Sequence, residues 1–535
     1  MLPSDETVAF PSSFDVLISG GTVFDGLGNK PIRADIGVIN GRIAAIGSLG
    51  HATSTQTFRA EGWYVSPGFI DIHTHSDLSI LATPNMDSSL AQGVTSEIVG
   101  NCGMSLGLSQ PTSEFAMEQR WLSREGVIVD WNDLNGFLRR IEDNGIAINV
   151  ATLAGHGTLR KRVMGLANRP PSRVELTAMQ QDLATAMEQG AVGLSSGLEY
   201  VPGMYADIAE LVALATVAKS AGGFYATHLR DEGDTLEESV AEAIAVARGA
   251  GISLQLSHHK AERPRNWGKV RNTLAMVDVA QAEGLDILLD QYPYTAYQTG
   301  LATIALPAWV AAGTPTALAA RILDETTRTK IKNDMTDVDW RAVEIAICLG
   351  HRDYQGRRVS ELAQNTGKDP RDFVLDLLAE SETFVAAAHF AMSEEDVERV
   401  MRDPRVMIGS DAVAMSPQGA MSEDKPHPRS YGTFARIFAR YVREKGVLTW
   451  EEAIRRMTSL PAQRLGWRDR GQIAVGCWAD VVVFDPLHIA DRATFVAPHQ
   501  LAAGIEHVLV AGTLAFSGGV PTGARPGNVL RKHLS

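Results

Sequence analysis

Eight short apolar runs, most of them separated by stretches of helical periodicity, narrow the folds open to this chain. They are Gly68-Phe-Ile-Asp-Ile72, Thr95-Ser-Glu-Ile-Val99, Ile148-Asn-Val-Ala-Thr-Leu153, Ala191-Val-Gly-Leu194, Gly223-Phe-Tyr-Ala-Thr227, Ile252-Ser-Leu-Gln-Leu256, Asp286-Ile-Leu-Leu289 and Val406-Met-Ile-Gly409. Apolar strands alternating with helices build parallel βα units. Eight units predict an α/β fold of the (β/α)8 TIM-like barrel type, whose sites form at the C-terminal ends of the strands. More than 110 residues separate the last two runs, where a barrel unit takes roughly 31. An insertion between strands 7 and 8 is therefore expected at about residues 300–390, as a lid or specificity subdomain. Within it, Val343-Glu-Ile-Ala-Ile347 reads as a further strand.

Both ends of the chain have a different texture. Asp15-Val-Leu-Ile-Ser19, Gly21-Thr-Val-Phe24, Asp35-Ile-Gly-Val-Ile39 and Arg42-Ile-Ala-Ala-Ile46 are short strands. Asn40-Gly41 between the last two is a strong hairpin signal. Similar strands return in Ala479-Asp-Val-Val-Val-Phe484, Ile505-Glu-His-Val-Leu-Val510 and Thr513-Leu-Ala-Phe516. The reading is a small β-sandwich domain built jointly from residues 1–65 and 471–535, around a barrel of residues 66–470.

Composition excludes several classes. A formal charge of −14 opposes binding to nucleic acid or to an anionic membrane surface. No run of roughly 18 apolar residues offers a membrane span, and the N-terminus lacks a secretory signal pattern. Cytoplasmic residence is the expectation. Cys102, Cys348 and Cys477 lie too far apart to form a disulfide framework. The oligomeric state is not readable from the sequence.

The metal-ligand residue types cluster at predicted strand ends. His73 and His75 follow the first run, Cys102 the second, His228 the fifth, His258 the sixth and Asp411 the eighth. Cys102 lies 29 residues after His73, and His258 lies 30 after His228, each close to one βα unit. Residues i and i+2 on a strand share a side, so His73 and His75 can reach one ion. Cys102, His228 and His258 supply the three protein ligands that a catalytic zinc keeps, and the thiolate favours zinc over magnesium or calcium. His259 faces the other way from His258 and takes no ligand role. His156 either lines the site or caps a helix, while His351 and His389 read as structural.

These motifs carry a family resemblance. Pro67-Gly-Phe-Ile-Asp-Ile-His-Thr-His75 resembles the opening metal motif of the amidohydrolase superfamily. Val99-Gly-Asn-Cys-Gly103, Thr227-His-Leu-Arg-Asp-Glu-Gly-Asp234, Leu256-Ser-His-His-Lys260 and Ile408-Gly-Ser-Asp411 resemble the N-acyl-D-amino-acid deacylases, or D-aminoacylases. The likeness continues through His427-Pro-Arg-Ser-Tyr-Gly-Thr-Phe434, Met457-Thr-Ser-Leu-Pro-Ala462 and Ala479-Asp-Val-Val-Val-Phe-Asp485. It implies a tight zinc held by Cys102, His228 and His258, and a weaker second metal at His73, His75 and Asp411. It further implies Asp411 as catalytic base, Lys260 and Tyr292 as holders of the substrate carboxylate, and Tyr200 as a pocket residue. The implied substrate is a small N-acyl amino acid, cleaved at its amide bond, and the preference for the D enantiomer follows from the resemblance alone. A cyclic-amide hydrolase of the hydantoinase or dihydroorotase type is the alternative. Those relatives commonly bridge two metals with a carbamylated lysine at the end of strand four, where this chain has Leu194-Ser-Ser-Gly197. A non-catalytic scaffold would be expected to have lost ligands, and all six are present.

Overall fold

The computed structural model describes residues 11–110, 112, 115–311, 314–380 and 385–532. The chain opens with five strands, β1 (Ser13–Val23), β2 (Ile32–Ile39), β3 (Arg42–Gly47), β4 (Thr53–Arg59) and β5 (Tyr64–Pro67). Next come β6 (Phe69–Asp71), β7 (Val94–Val99), β8 (Asn149–Thr152), β9 (Ala154–Gly155), β10 (Gly193–Gly197), β11 (Phe224–His228), β12 (Leu254–Leu256) and β13 (Ile287–Gln291). The inserted stretch contributes β14 (Tyr297–Gly300), β15 (Val343–Cys348) and β16 (Val385–His389). It is followed by β17 (Val406–Ile408), β18 (Val481–Phe484), β19 (Ile505–Val510), β20 (Thr513–Ser517) and β21 (Val520–Pro521).

Each of the eight apolar runs overlaps a strand, and all of these strands pair in parallel. β6, β7 and β8 form one sheet, and β9 to β13 with β17 form another, ordered β17-β13-β12-β11-β10-β9. Only Leu153 separates β8 from β9. A parallel bridge joins Thr74, beyond β6, to Ala412, beyond β17. The strands read as continuous apolar runs because both faces are covered. Ile70, Ile72, Ile98, Ala151 and Met407 share one core cluster, while Phe69 and Val94 belong to another together with Phe434 and Phe438.

Strands from both ends of the chain share a nine-stranded sheet, ordered β21-β20-β19-β18-β5-β1-β2-β3, with β4 paired to β1. The Asn40-Gly41 turn joins β2 to β3 with both residues at positive φ, 51° and 73°. That is the geometry a tight hairpin of this sequence requires. The two separate strands expected at 15–19 and 21–24 are one strand, β1. A register shift between Ile18 and Gly21 lets it pass the glycine pair, as a β-bulge does. Alternation along β18 divides its side chains between two layers. Val481 and Val483 join the sheet's own core, whereas Val482 and Phe484 pack with Phe69 and Phe438.

The inserted stretch has its own core, including Leu301, Trp340, Val359, Phe373 and Ala387, around the antiparallel sheet β14-β16-β15. Among the described residues no helix is long and apolar enough to cross a membrane.

Candidate metal centre

The turn that follows β7 places Cys102, and its backbone is demanding. Gly100, Cys102 and Gly103 all have positive φ, at 77°, 52° and 73°. Ser195 on β10 holds the turn from beneath: its Oγ donates to Gly100 O at 2.5 Å and accepts from Gly103 N at 3.1 Å. A Cβ on Gly197 would lie 2.1 Å from Cys102 O. The Ser-Ser-Gly at the end of β10 thus seats a cysteine turn. His258 and Asp411 also have positive φ, at 33° and 51°, and such strain persists only where surrounding structure fixes it. For Asp411, its N–H donates to His73 O at 2.8 Å and the His75 N–H donates to Ala412 O at 2.7 Å.

All six residues expected as ligands meet here. Donor atoms of His73, Cys102, His258 and Asp411 lie within 4.8 Å of one another, as do those of His228, Glu232 and His258. Cys102 Sγ is 3.3 Å from His73 Nε2 and 3.5 Å from His258 Nε2. His228 Nδ1 is 2.9 Å from His258 Nε2. Asp411 Oδ1 stands 3.2 Å from His75 Nε2 and 3.6 Å from His73 Nε2. The contacts therefore cross the two expected sets of three, with His258 common to both groups.

Several participants had not been singled out. Asp290, at the end of β13, has an oxygen 3.1 Å from His73 Nδ1 and accepts from His258 N at 2.7 Å and from Gln255 Nε2 at 2.6 Å. Glu232 reaches His258 Nδ1 at 3.0 Å and Lys260 Nζ at 2.5 Å. Glu199 reaches His228 Nε2 at 2.8 Å. Arg429 Nη1 donates to Asp411 Oδ2 at 2.6 Å. Glu232 and Arg429 lie inside motifs quoted above, so their positions were visible but their roles were not.

Lys260 is buried against Glu232, and its ammonium lies 5.8 Å from the centre of the Tyr292 ring. The Tyr292 hydroxyl is buried without a hydrogen-bond partner. The Tyr200 ring packs 4.7 Å from that of His228, and its hydroxyl is 3.4 Å from Thr299 Oγ1. Of the other histidines, His259 turns away to Thr273 Oγ1 at 2.7 Å. His156 starts the helix His156–Met164 and pairs with Glu210 at 2.9 Å. His389 bonds to the Tyr297 hydroxyl at 3.0 Å.

The electrostatics suit a cation. Burial works to raise the Cys102 thiol, but His73 and the imidazole contacts from His228 and His258 outweigh it and hold the thiol well below its ordinary value. Burial likewise works to raise Asp411, and Arg429, then His258, hold it well below the usual carboxylate range. Against the opposing effect of burial, the Asp411 and Cys102 contacts push His75 up to about 9. Glu232 and then Cys102 push His228 up to about 10 in the same way. A thiolate and a carboxylate held ionised among protonated imidazoles make a pocket in which a metal ion takes the place of the imidazole protons. One thiolate with several imidazoles and a carboxylate is a donor set that fits zinc.

The chain belongs to the amidohydrolase family, whose model matches residues 56–516. Within that family it is similar over nearly its whole length to deacylases of N-acyl-D-amino acids. It is 40% identical to the N-acyl-D-glutamate deacylase of Alcaligenes xylosoxydans xylosoxydans, covering 97% of each chain. It is 35% identical to the D-aminoacylase of the same organism, covering 97% of this chain and 98% of that one. Among solved structures, it is similar to the N-acyl-D-glutamate deacylase from Bordetella bronchiseptica complexed with zinc and a phosphonate mimic of the tetrahedral intermediate. The identity there is 37% and the TM-score 0.83, over 97% of this chain and 100% of that one.

Proposed function

We propose that this chain is a zinc-dependent hydrolase that cleaves the amide bond of N-acyl-D-amino acids, giving a free D-amino acid and a carboxylate. One observation carries the reading: Cys102, His73, His258 and Asp411 converge within 4.8 Å, in a chain that matches such deacylases over 97% of its length.

The architecture inferred for it is a (β/α)8 barrel of residues 66–470 with an inserted subdomain at about 300–390. Residues 1–65 and 471–535 form the small β-sandwich domain. The near continuity of β8 with β9 and the Thr74–Ala412 bridge support closure of the two parallel sheets. Three free, buried cysteines suit a reducing cytoplasm.

In this reading Cys102, His228 and His258 hold the tight zinc, and His73, His75 and Asp411 hold a weaker second ion. Bound there, zinc supplies a Lewis acid that polarises the amide carbonyl, lowers the pKa of water and offsets charge on the carbonyl oxygen. Asp411 accepts the proton of the attacking water as general base and delivers it to the leaving nitrogen. Without that second transfer the tetrahedral intermediate would expel hydroxide again. Arg429 keeps Asp411 ionised and ready to accept. Lys260, with three donors on a point charge, serves Glu232 and the substrate carboxylate together. The unpartnered Tyr292 hydroxyl supplies the second hold, which places the carbonyl near its nucleophile. Tyr200 lines the pocket beside His228.

The test is release of free amine from matched N-acetyl-D- and N-acetyl-L-amino acids, beginning with methionine and leucine, by zinc-replete protein. Release from the D series alone is expected. No release from any neutral or acidic N-acetyl-D-amino acid by zinc-loaded protein would overturn the reading.

A further inference from the structure

Two buried carboxylates take no part in the chemistry above. Asp71 on β6 and Glu97 on β7 stand in register on neighbouring parallel strands, at 3% and 2% exposure. Among the described residues neither forms an ion pair, whereas the buried Glu210, Asp290, Asp411 and Asp480 each face an arginine or an imidazole. Taking a carboxylate out of water is costly unless a cation or metal accompanies it.

Both line a small cavity of about 10 Å³, together with Ser76, Ser89, Ser410 and Ser430. Ser89 and Ser430 bring in the helices Asp87–Leu90 and Arg429–Arg436. Ser410 N donates to Asp71 Oδ1 at 2.9 Å, and Ser89 Oγ donates to Glu97 Oε1 at 2.5 Å. Glu97 Oε2 is buried and has no hydrogen-bond partner. The room is that of a single water-sized guest.

We propose that this cavity binds one hard cation of sodium or calcium size, held by the carboxylates of Asp71 and Glu97 with the neighbouring serine oxygens. The lining offers oxygen donors and neither thiolate nor imidazole, which selects hard ions over zinc. Two adjacent buried carboxylates can both stay ionised only with a cation between them, and no side chain provides one. The position matters for the metal centre. Asp71 precedes His73 by two residues, Ser76 follows His75 and Ser410 precedes Asp411, so an ion here fastens both segments that present those ligands.

The test uses full-length, zinc-loaded protein in choline chloride, with sodium chloride or calcium chloride substituted at constant ionic strength. One of the two ions is expected to bind at one per chain in equilibrium dialysis. The same ion should raise the unfolding midpoint by about 2 °C at a hundredfold excess over its dissociation constant. Glu97→Gln should lose both responses while keeping its zinc. Equal midpoints in all three salts, no retained ion, or the same responses in Glu97→Gln would each overturn the site and leave the cavity to water only. Should Glu97→Gln fail to fold, Ser89→Ala, which removes one neutral oxygen, is expected to weaken ion binding, and unchanged binding would count against the site.

Discussion

Asp411 is held from two sides, by Arg429 Nη1 at 2.6 Å on one oxygen and by His75 at 3.2 Å on the other. A carboxylate so placed can accept a proton without drifting from the metal centre. Asp411→Asn is expected to retain the tight zinc and lose activity by about 10²–10⁴-fold; turnover near the wild-type rate in zinc-loaded variant would remove Asp411 from its role. Asp290 works one step further out, fixing the ring of His73. Asp290→Asn should weaken binding of the second ion, the one at His73, by about 10–100-fold, measured by competition with a chelator. The six ligand candidates were legible because each is a metal-binding type beside an apolar run. Asp290 was not, since it lies 217 residues from His73 in sequence and a carboxylate closing a strand carries no local signal. His389 gives a pH prediction away from the metal. Burial, with Arg263 nearby, pushes it down from 6.5 to about 4. The unfolded chain then binds the proton first, so stability falls as pH drops from about 6.5 to 4. His389→Gln should flatten that decline, by up to a few kcal/mol, in denaturant titrations across the window.

The turn after β7 and the end of β10 behave as one device, since Ser195 and Gly197 leave only enough room for the backbone around Cys102. Gly103→Ala forces a side chain into positive φ, with its Cβ 2.7 Å from Gly197 N. A loss of about 1–3 kcal/mol is expected, together with reduced zinc content. Native zinc and an unchanged unfolding midpoint would show that the turn can relax. The eight parallel strands were readable because strands buried on both faces are apolar throughout. β4 was not: Thr53–Arg59 is mostly exposed and polar, and only its pairing to β1 makes it a strand. β16 was missed for a different reason, because its Val-Ala-Ala-Ala-His sequence has no β-branched residue after the first. Cross-strand bonds to β14 and β15 override its local preference.

The last described residues tie the chain end to the base of β8. Val150 N donates to Asn528 O at 2.9 Å, Leu530 N donates to Val150 O at 2.7 Å, and Gly527 N donates to Ile146 O at 2.8 Å. Removing residues 524–535 should lower the unfolding midpoint by a few degrees, and an unchanged midpoint would mean that this strap is ornamental to stability. Sequence texture at the two termini hinted at their union, but neither the strand order nor the strap has a local signature, because both arise from contacts across hundreds of residues. The shared sheet also sets a timetable for biosynthesis. β5 ends at Pro67 and its neighbour β18 begins at Val481, so at about 5–20 residues per second the ribosome needs roughly 20–80 s to deliver the second after the first. Throughout that interval the nascent chain displays an unpaired edge, the kind of surface that recruits other strands, so the yield of this protein depends on what shields its beginning until its end is made.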